Sequence, residues 1–217
     1  MNLEQARFNM IEQQIRPWDV LDPAVLSLLA IVKREDFVPA AHRALAFMDL
    51  EVPLPGGQCM LAPRVEARLL QELAPQRHER VLEIGSGSGH MAALLAHKAQ
   101  QVLSFEIRPE LAAMARDNLR HAAILNVEVR SGDGARGDAG RAPWDAIMLS
   151  GSVAQVPQQL LDQLKVGGRL VAIVGNEPVM TAVQITRTTE RDWRTTVLFD
   201  TVAQRLEGFA EPSAFTF

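Results

Sequence analysis

The chain contains no tyrosine among its 217 residues, so no phenol can serve it as acid, base or nucleophile. A single cysteine, Cys59, excludes an internal disulfide framework and a cysteine-rich zinc site. It fits a reducing compartment such as the cytoplasm. No stretch approaches the ~18 consecutive apolar residues that a membrane-spanning helix requires. The start, Met1–Arg7, is polar and lacks the apolar core of a secretory signal. Basic residues are not in excess: 22 Lys and Arg against 26 Asp and Glu give a formal charge of −4, with a pI of about 5.8. That disfavours a nucleic-acid surface built on a basic patch. The five histidines, His42, His78, His90, His97 and His121, include no H-x-x-x-H pair, so no metal site of that kind is expected. Neither nucleic acid nor membrane is therefore an expected partner, and the pattern specifies no oligomeric state.

The hydrophobic content, 47%, suits one folded domain of generous size or a domain with a substantial extension. Residues 3–15 predict a helix with Ala6, Met10, Ile11 and Ile15 on one stripe, ended by Pro17. Asp22 and Pro23 read as N-cap and first residue of a second helix running to Ala30. A short helix is expected at Ala40–Leu45, and then loop from Met48 to Pro63, punctuated by Pro53, Pro55, Gly56 and Gly57. Pro63 can open a third helix with Val65, Leu69, Leu70 and Leu73 on one face. Residues 1–75 thus read as a helical cap with a long loop, and long loops inside compact domains are often functional.

From residue 76 to 217 the pattern changes to alternating strands and helices. Strands are expected at 80–84, 101–105, 126–130, 144–149 and 169–174. Helices are expected near 89–98, from Pro109 to His121, and from Val156 to Leu164, the last ended by a Gly167-Gly168 turn. Such alternation implies right-handed crossovers and a parallel sheet covered on both faces. The tail departs from it. Met180–Thr188 and Trp193–Val202, separated by Thr189-Glu190-Arg191-Asp192, predict an antiparallel hairpin. The fold class is therefore α/β, Rossmann-like, mostly parallel, with antiparallel C-terminal strands and an N-terminal helical extension.

The segment Arg80-Val81-Leu82-Glu83-Ile84-Gly85-Ser86-Gly87-Ser88-Gly89-His90 carries the chemistry. It reads as a buried strand, a glycine turn and a helix start, with Ser88 as N-cap of the helix Met91–Lys98. Glycines there let backbone N–H groups approach an anionic or polar ligand. A dinucleotide fingerprint needs G-x-G-x-x-G, whose third glycine would fall at His90. The spacing here is G-x-G-x-G after Glu83, which resembles motif I of S-adenosylmethionine (SAM) dependent methyltransferases.

In an open α/β sheet, ligands sit at the carboxyl ends of the strands. Those ends supply the remaining candidates: Glu106 and Ile107 after the second strand, Gly132, Asp133 and Gly134 after the third, Leu149 and Ser150 after the fourth. Glu106, 21 positions beyond Gly85, reads as the acceptor for two ribose hydroxyls or as an exposed acid at a strand end. Asp133 reads as an acceptor for an exocyclic amine such as adenine's, or as an Asp-Gly turn residue. Glu83 reads as counter-charge to the amino group of a methionine moiety, or as a structural strand residue. Together with Gly85, Ser86, Gly87 and Gly89, these are the expected cofactor-binding residues. His90 reads as a packing or helix-start residue. A sulfonium methyl transfers by in-line attack, and a carboxylate acceptor is already ionised at neutral pH, so positioning alone suffices.

The chain resembles the protein-L-isoaspartate O-methyltransferase family over nearly its whole length. The resemblance is carried by Met10-Ile11-Glu12-Gln13-Gln14-Ile15-Arg16, Asp22, Val25-Leu26, Arg34-Glu35-Asp36-Phe37-Val38-Pro39, Ala46, Asp49, Leu54-Pro55 and Gly57-Gln58 in the N-terminal part. In the core it is carried by Val81–Gly89, Glu106, Gly132-Asp133-Gly134 and Leu164-Lys165-Val166-Gly167-Gly168-Arg169-Leu170. It implies SAM as cofactor, S-adenosyl-L-homocysteine as product, and methyl esterification of the free carboxylate of isoaspartyl residues in damaged proteins. One departure stands out. The family follows Gly-Gln with Thr-Ile-Ser and, one residue later, Pro; this chain has Gly57-Gln58-Cys59-Met60-Leu61-Ala62-Pro63. The active-site serine of the family is Leu61 here, with Cys59 and Met60 as neighbours, and leucine donates no hydrogen bond. The catalytic residue is thus unassigned. The alternatives are a SAM-dependent methyltransferase with a different acceptor, such as a small carboxylate or another protein side chain, or a SAM-binding relative without catalysis.

Overall fold

The computed structural model of the protein describes residues 2–211; the last six residues of the expected 76–217 core lie outside them. Asn2 caps α1 (Leu3–Met10), its side chain accepting the N–H groups of Glu4 and Gln5. The expected helix over 3–15 continues but loosens after Met10 into a π-helical turn, Ile11–Ile15, and a 3-10 turn, Arg16–Trp18. The N–H of Arg16 bonds the Ile11 carbonyl five residues back, and Pro17 has no N–H with which to resume the ladder. Met10, Ile11 and Ile15 are buried as their spacing suggests. Helix α2 (Pro23–Ile31) is capped by Asp22, whose carboxylate accepts the Ala24 N–H. The Ala40–Leu45 segment is a 3-10 helix.

The stretch read as loop between Met48 and Pro63 holds a small hairpin. Strands β1 (Val52–Pro53) and β2 (Cys59–Met60) pair antiparallel, Val52 opposite Met60. Gly56 and Gly57, at φ +71° and +75°, make the left-handed turn that closes it. The local sequence, rich in proline and glycine, masks a ladder only two residues long. Helix α3 (Pro63–Leu73) follows, burying Val65, Leu69, Leu70 and Leu73 as expected, and Glu66 with them.

The sheet comprises β3 (Arg80–Ile84), β4 (Gln101–Glu106), β5 (Val127–Ser131), β6 (Trp144–Val153), β7 (Leu164–Asn176), β8 (Val179–Arg187) and β9 (Trp193–Thr201). Its order is β5-β4-β3-β6-β7-β8-β9. The first five of these strands are parallel to one another, and β8 and β9 add antiparallel. Helices α4 (His90–Lys98), α5 (Pro109–His121) and α6 (Gln158–Asp162) cross between them.

Period-two alternation assigns the two faces. Val81, Val102, Ala146, Met148 and Val171 pack beneath α3, α4 and α5, in one core with the N-terminal helices. Leu82, Leu103, Ile147, Leu149 and Leu170 face the other way, toward α6 and Phe209.

Several boundaries differ from the sequence pattern, among them β6, which runs on to Val153 where 144–149 was expected, so that Leu149 and Ser150 lie within the strand and not after it. Helix α6 is five residues long, starting after Pro157, where Val156–Leu164 was expected. Strand β7 begins at Leu164, and Gly167-Gly168 lies within it as an irregularity rather than before it as a turn: the register jumps between Trp144–Leu164 and Ala146–Arg169. The N-cap of α4 is Gly89 at φ +86°, not Ser88. A Cβ at Gly89 would lie 3.2 Å from the backbone of Ala115, so the turn and α5 approach closely.

Candidate active site

Strand β3 pairs with β4 on one side and β6 on the other, so the chain changes direction across the sheet at this point. The carboxyl end of β3 therefore opens into a crevice. The glycine turn sits there. The N–H groups of Gly85 and Ser86 both bond the Phe105 carbonyl, at 2.8 and 3.2 Å, folding the turn over the end of β4. Glu106 closes the arrangement. Its carboxylate accepts the Gly87 N–H at 2.8 Å and the Arg108 N–H at 3.0 Å, one on each oxygen. The side chain is fixed on the wall of a cleft, with lone pairs to spare.

Of the residues expected at a cofactor site, Gly85, Gly87, Glu106, Ile107, Gly134 and Ser150 line this cleft together. Ser86 lines an adjoining smaller cavity, its hydroxyl 2.5 Å from that of Ser104. Gly132 donates its N–H to the Glu106 carbonyl at 2.8 Å. Asp133 is exposed, and one of its oxygens accepts the Ala135 N–H at 2.9 Å. Leu149 is wholly in the core, and Gly89 packs on α5 rather than on the cleft.

Glu83 lies below the turn with no exposure at all. It accepts hydroxyl hydrogen bonds from Ser104 at 2.6 Å and Ser150 at 2.8 Å. Burial pushes its carboxyl up to about 7, a shift the two serines only partly oppose. An ionised Glu83 is therefore costly in the free protein and favours a cationic partner.

The hairpin that precedes α3 forms the opposite wall. The Cys59 thiol is pushed up to about 12, by burial first and then by Glu51, so it is a neutral thiol and not a nucleophile at neutral pH. Leu61 is buried, and its carbonyl accepts a 2.7 Å hydrogen bond from Arg34. Arg34 also donates to Glu66 at 2.5 Å, and the same Glu66 oxygen lies 2.8 Å from His90 Nδ1. Burial by itself raises the Glu66 carboxyl, but His90 and Arg34 together hold it below the usual carboxylate range. Phe37 meets the His90 ring edge-on, 5.2 Å between centroids.

Sequence reasoning missed this ion cluster. The available signal was an acid, Glu66, inside the apolar stripe of α3. It also missed the segment after β9. There Leu206 lies over the glycine turn, where a Cβ on Gly85 would approach it to 2.6 Å. Glu207 accepts hydrogen bonds from Arg108 at 2.5 Å and Gln58 at 3.0 Å, tying this segment to both walls.

A glycine turn at the switch point, an acid clamped after the second strand and an antiparallel strand pair at the end of a parallel sheet define a Rossmann-like methyltransferase fold. Comparison with known proteins narrows this. The model of the family described as protein-L-isoaspartate(D-aspartate) O-methyltransferase matches residues 5–206. A protein-L-isoaspartate O-methyltransferase of Methanoculleus marisnigri is 40% identical over 181 residues, 83% of this chain and 82% of the relative. Protein-L-isoaspartate O-methyltransferase 1 of Rhodopseudomonas palustris is 42% identical over 195 residues, 89% of this chain and 80% of the relative. The chain belongs to the protein-L-isoaspartate(D-aspartate) O-methyltransferase family. Its fold also matches that of a Plasmodium falciparum protein crystallised with S-adenosyl-L-homocysteine: TM-score 0.81, 19% identity, 93% of this chain and 98% of the other covered.

Proposed function

We propose that this protein uses SAM to methyl-esterify the free carboxylate of isoaspartyl residues in damaged proteins and peptides, releasing S-adenosyl-L-homocysteine. The observation that carries the reading is the Glu106 carboxylate, fixed by two backbone N–H groups at the mouth of the glycine turn in a chain of this family. The cleft suits the cofactor. Glu106 can accept two ribose hydroxyls. Phe105, Ile107 and Leu111 give an apolar wall for a purine, with Gly134 beside it and the exposed Asp133 next along the chain. A Cβ at Gly134 would lie 2.7 Å from Phe105, so the wall is close-packed there. Glu83, uncompensated and buried, answers an ammonium group. The cofactor supplies an electrophilic methyl on a sulfonium.

What the protein contributes is orientation and exclusion of water. The acceptor carboxylate needs no general base, because it is ionised at neutral pH. Residues 1–75 provide the acceptor side through the 52–60 hairpin and Leu61; residues 76–217 provide the cofactor side. The single cysteine, partly buried, suits work in the reducing cytoplasm.

The test pairs purified protein with methyl-labelled SAM and an isoaspartyl peptide, beside its normal aspartyl isomer. Base-labile methyl ester from the wild type on the isoaspartyl peptide alone is the expected result. Ester only from Leu61→Ser would overturn the isoaspartyl assignment and point to a different acceptor. A calorimetric titration without SAM binding would overturn the methyltransferase reading itself.

A further inference from the structure

Beside the main cleft lies a second, smaller recess, between the glycine turn and the 59–61 segment. Its walls include Met60, Leu61, Ser86, Glu66 and His90. Most of its polar groups are committed: Ser86 to Ser104, Glu66 to Arg34 and His90. Leu61 brings only methyl groups. One committed side chain keeps a free end. His90 is 2% exposed, and its Nε2 has no hydrogen-bond partner among the described residues. A buried unpaired ring nitrogen forfeits its hydration without replacement, and such a group calls for an explanation.

We infer that the second cavity receives the acceptor carboxylate and that His90 Nε2–H holds it. The inference rests on the methyltransferase reading above. Glu66 engages Nδ1 at 2.8 Å and so fixes the orientation of the ring. In the acceptor complex Nδ1 keeps its contact with Glu66, and Nε2–H donates to one acceptor oxygen. The other acceptor oxygen is left to attack the methyl group. Esterification removes the acceptor's charge and weakens its tie to His90, which favours release. A hydrogen-bonding role that Leu61 cannot fill is thus supplied from the helix start instead.

Two substitutions separate this role from packing. In His90→Asn the amide can keep the Glu66 contact, but no atom reaches the Nε2 position. In His90→Gln the amide nitrogen reaches that position. For isoaspartyl peptide, His90→Asn should raise KM and lower kcat/KM by tenfold or more, with the calorimetric Kd for S-adenosyl-L-homocysteine unchanged. His90→Gln should recover much of the loss. Protein labelled with 15N-histidine gives a readout independent of turnover. Adding the peptide to the S-adenosyl-L-homocysteine complex should move the His90 Nε2 resonance to a protonated, hydrogen-bonded position, the signal being assigned by its absence in His90→Asn. If ester forms but that resonance stays put, or if His90→Asn keeps the wild-type kcat/KM, the His90 assignment is overturned while the isoaspartyl reading stands. If the resonance moves but wild type makes no ester, the isoaspartyl reading falls and the carboxylate site remains. Neither ester nor a shift overturns both.

Discussion

Replacing Glu83 by glutamine should stabilise the free protein at alkaline pH and leave it unchanged or weaker in acid. Glu83 is fully buried on the central strand, with two serine hydroxyls as its hydrogen-bond donors. Burial raises its carboxyl from an ordinary 4.5 to about 7. Below pH 4.5 the group is protonated whether the chain is folded or not, and it has no effect on the pH dependence. Between pH 4.5 and 7 the unfolded chain has released the proton and the folded one retains it, so stability falls as pH rises. Above 7 the full cost is reached, about 3 kcal/mol at 1.36 kcal/mol per pH unit. Glutamine keeps the shape and the hydrogen-bonding capacity without the ionisation. Urea denaturation of both proteins, without cofactor, should therefore give a stability difference that shifts in favour of Glu83→Gln by about 3 kcal/mol from pH 4.5 to 8. A difference that stays constant with pH would refute the argument. The same substitution should weaken SAM, whose ammonium would lose its counter-charge, more than a neutral analogue.

Two further outcomes follow from the same geometry. Glu106→Ala removes the acceptor for the Gly87 and Arg108 N–H groups and the expected ribose contact; SAM affinity by calorimetry should fall by about 1.5–3 kcal/mol, roughly 10- to 150-fold, with the fold retained by circular dichroism. Glu66→Leu strands Arg34 and His90 in the core without their shared carboxylate; stability by urea denaturation should drop by about 3–5 kcal/mol at neutral pH.

Much of the frame was legible in local pattern. Apolar runs located β3 and β4 to within a residue, because strands buried on both faces leave near-continuous apolar stretches. Asp22-Pro23 marked the start of α2 because cap chemistry is set by neighbours two or three residues away. The spacing from Gly85 to Glu106 pointed to one site because a parallel crossover returns the next strand end beside the first. Pattern failed where a feature depends on distant partners. The β1–β2 hairpin is too short to carry a period, and Gly167-Gly168 was absorbed into β7 by its pairing with β6. Residues His90 and Glu66 each looked ordinary in their own segments.

By itself the sequence determined the class of fold, the glycine turn and its acid, and the absence of a hydroxyl at position 61. These are local facts: residue chemistry, periodicity, and spacing within one crossover. Only the tertiary structure decided that Arg34, Glu66 and His90 share one buried charge cluster, since each comes from a different helix or turn and meets the others through packing of the N-terminal helices on the sheet. It also decided that Glu83 is desolvated enough to hold its proton near neutrality, and that Leu206 and Glu207 lie across the cleft. Burial and long-range neighbours set both, and neither is encoded in any short stretch of chain.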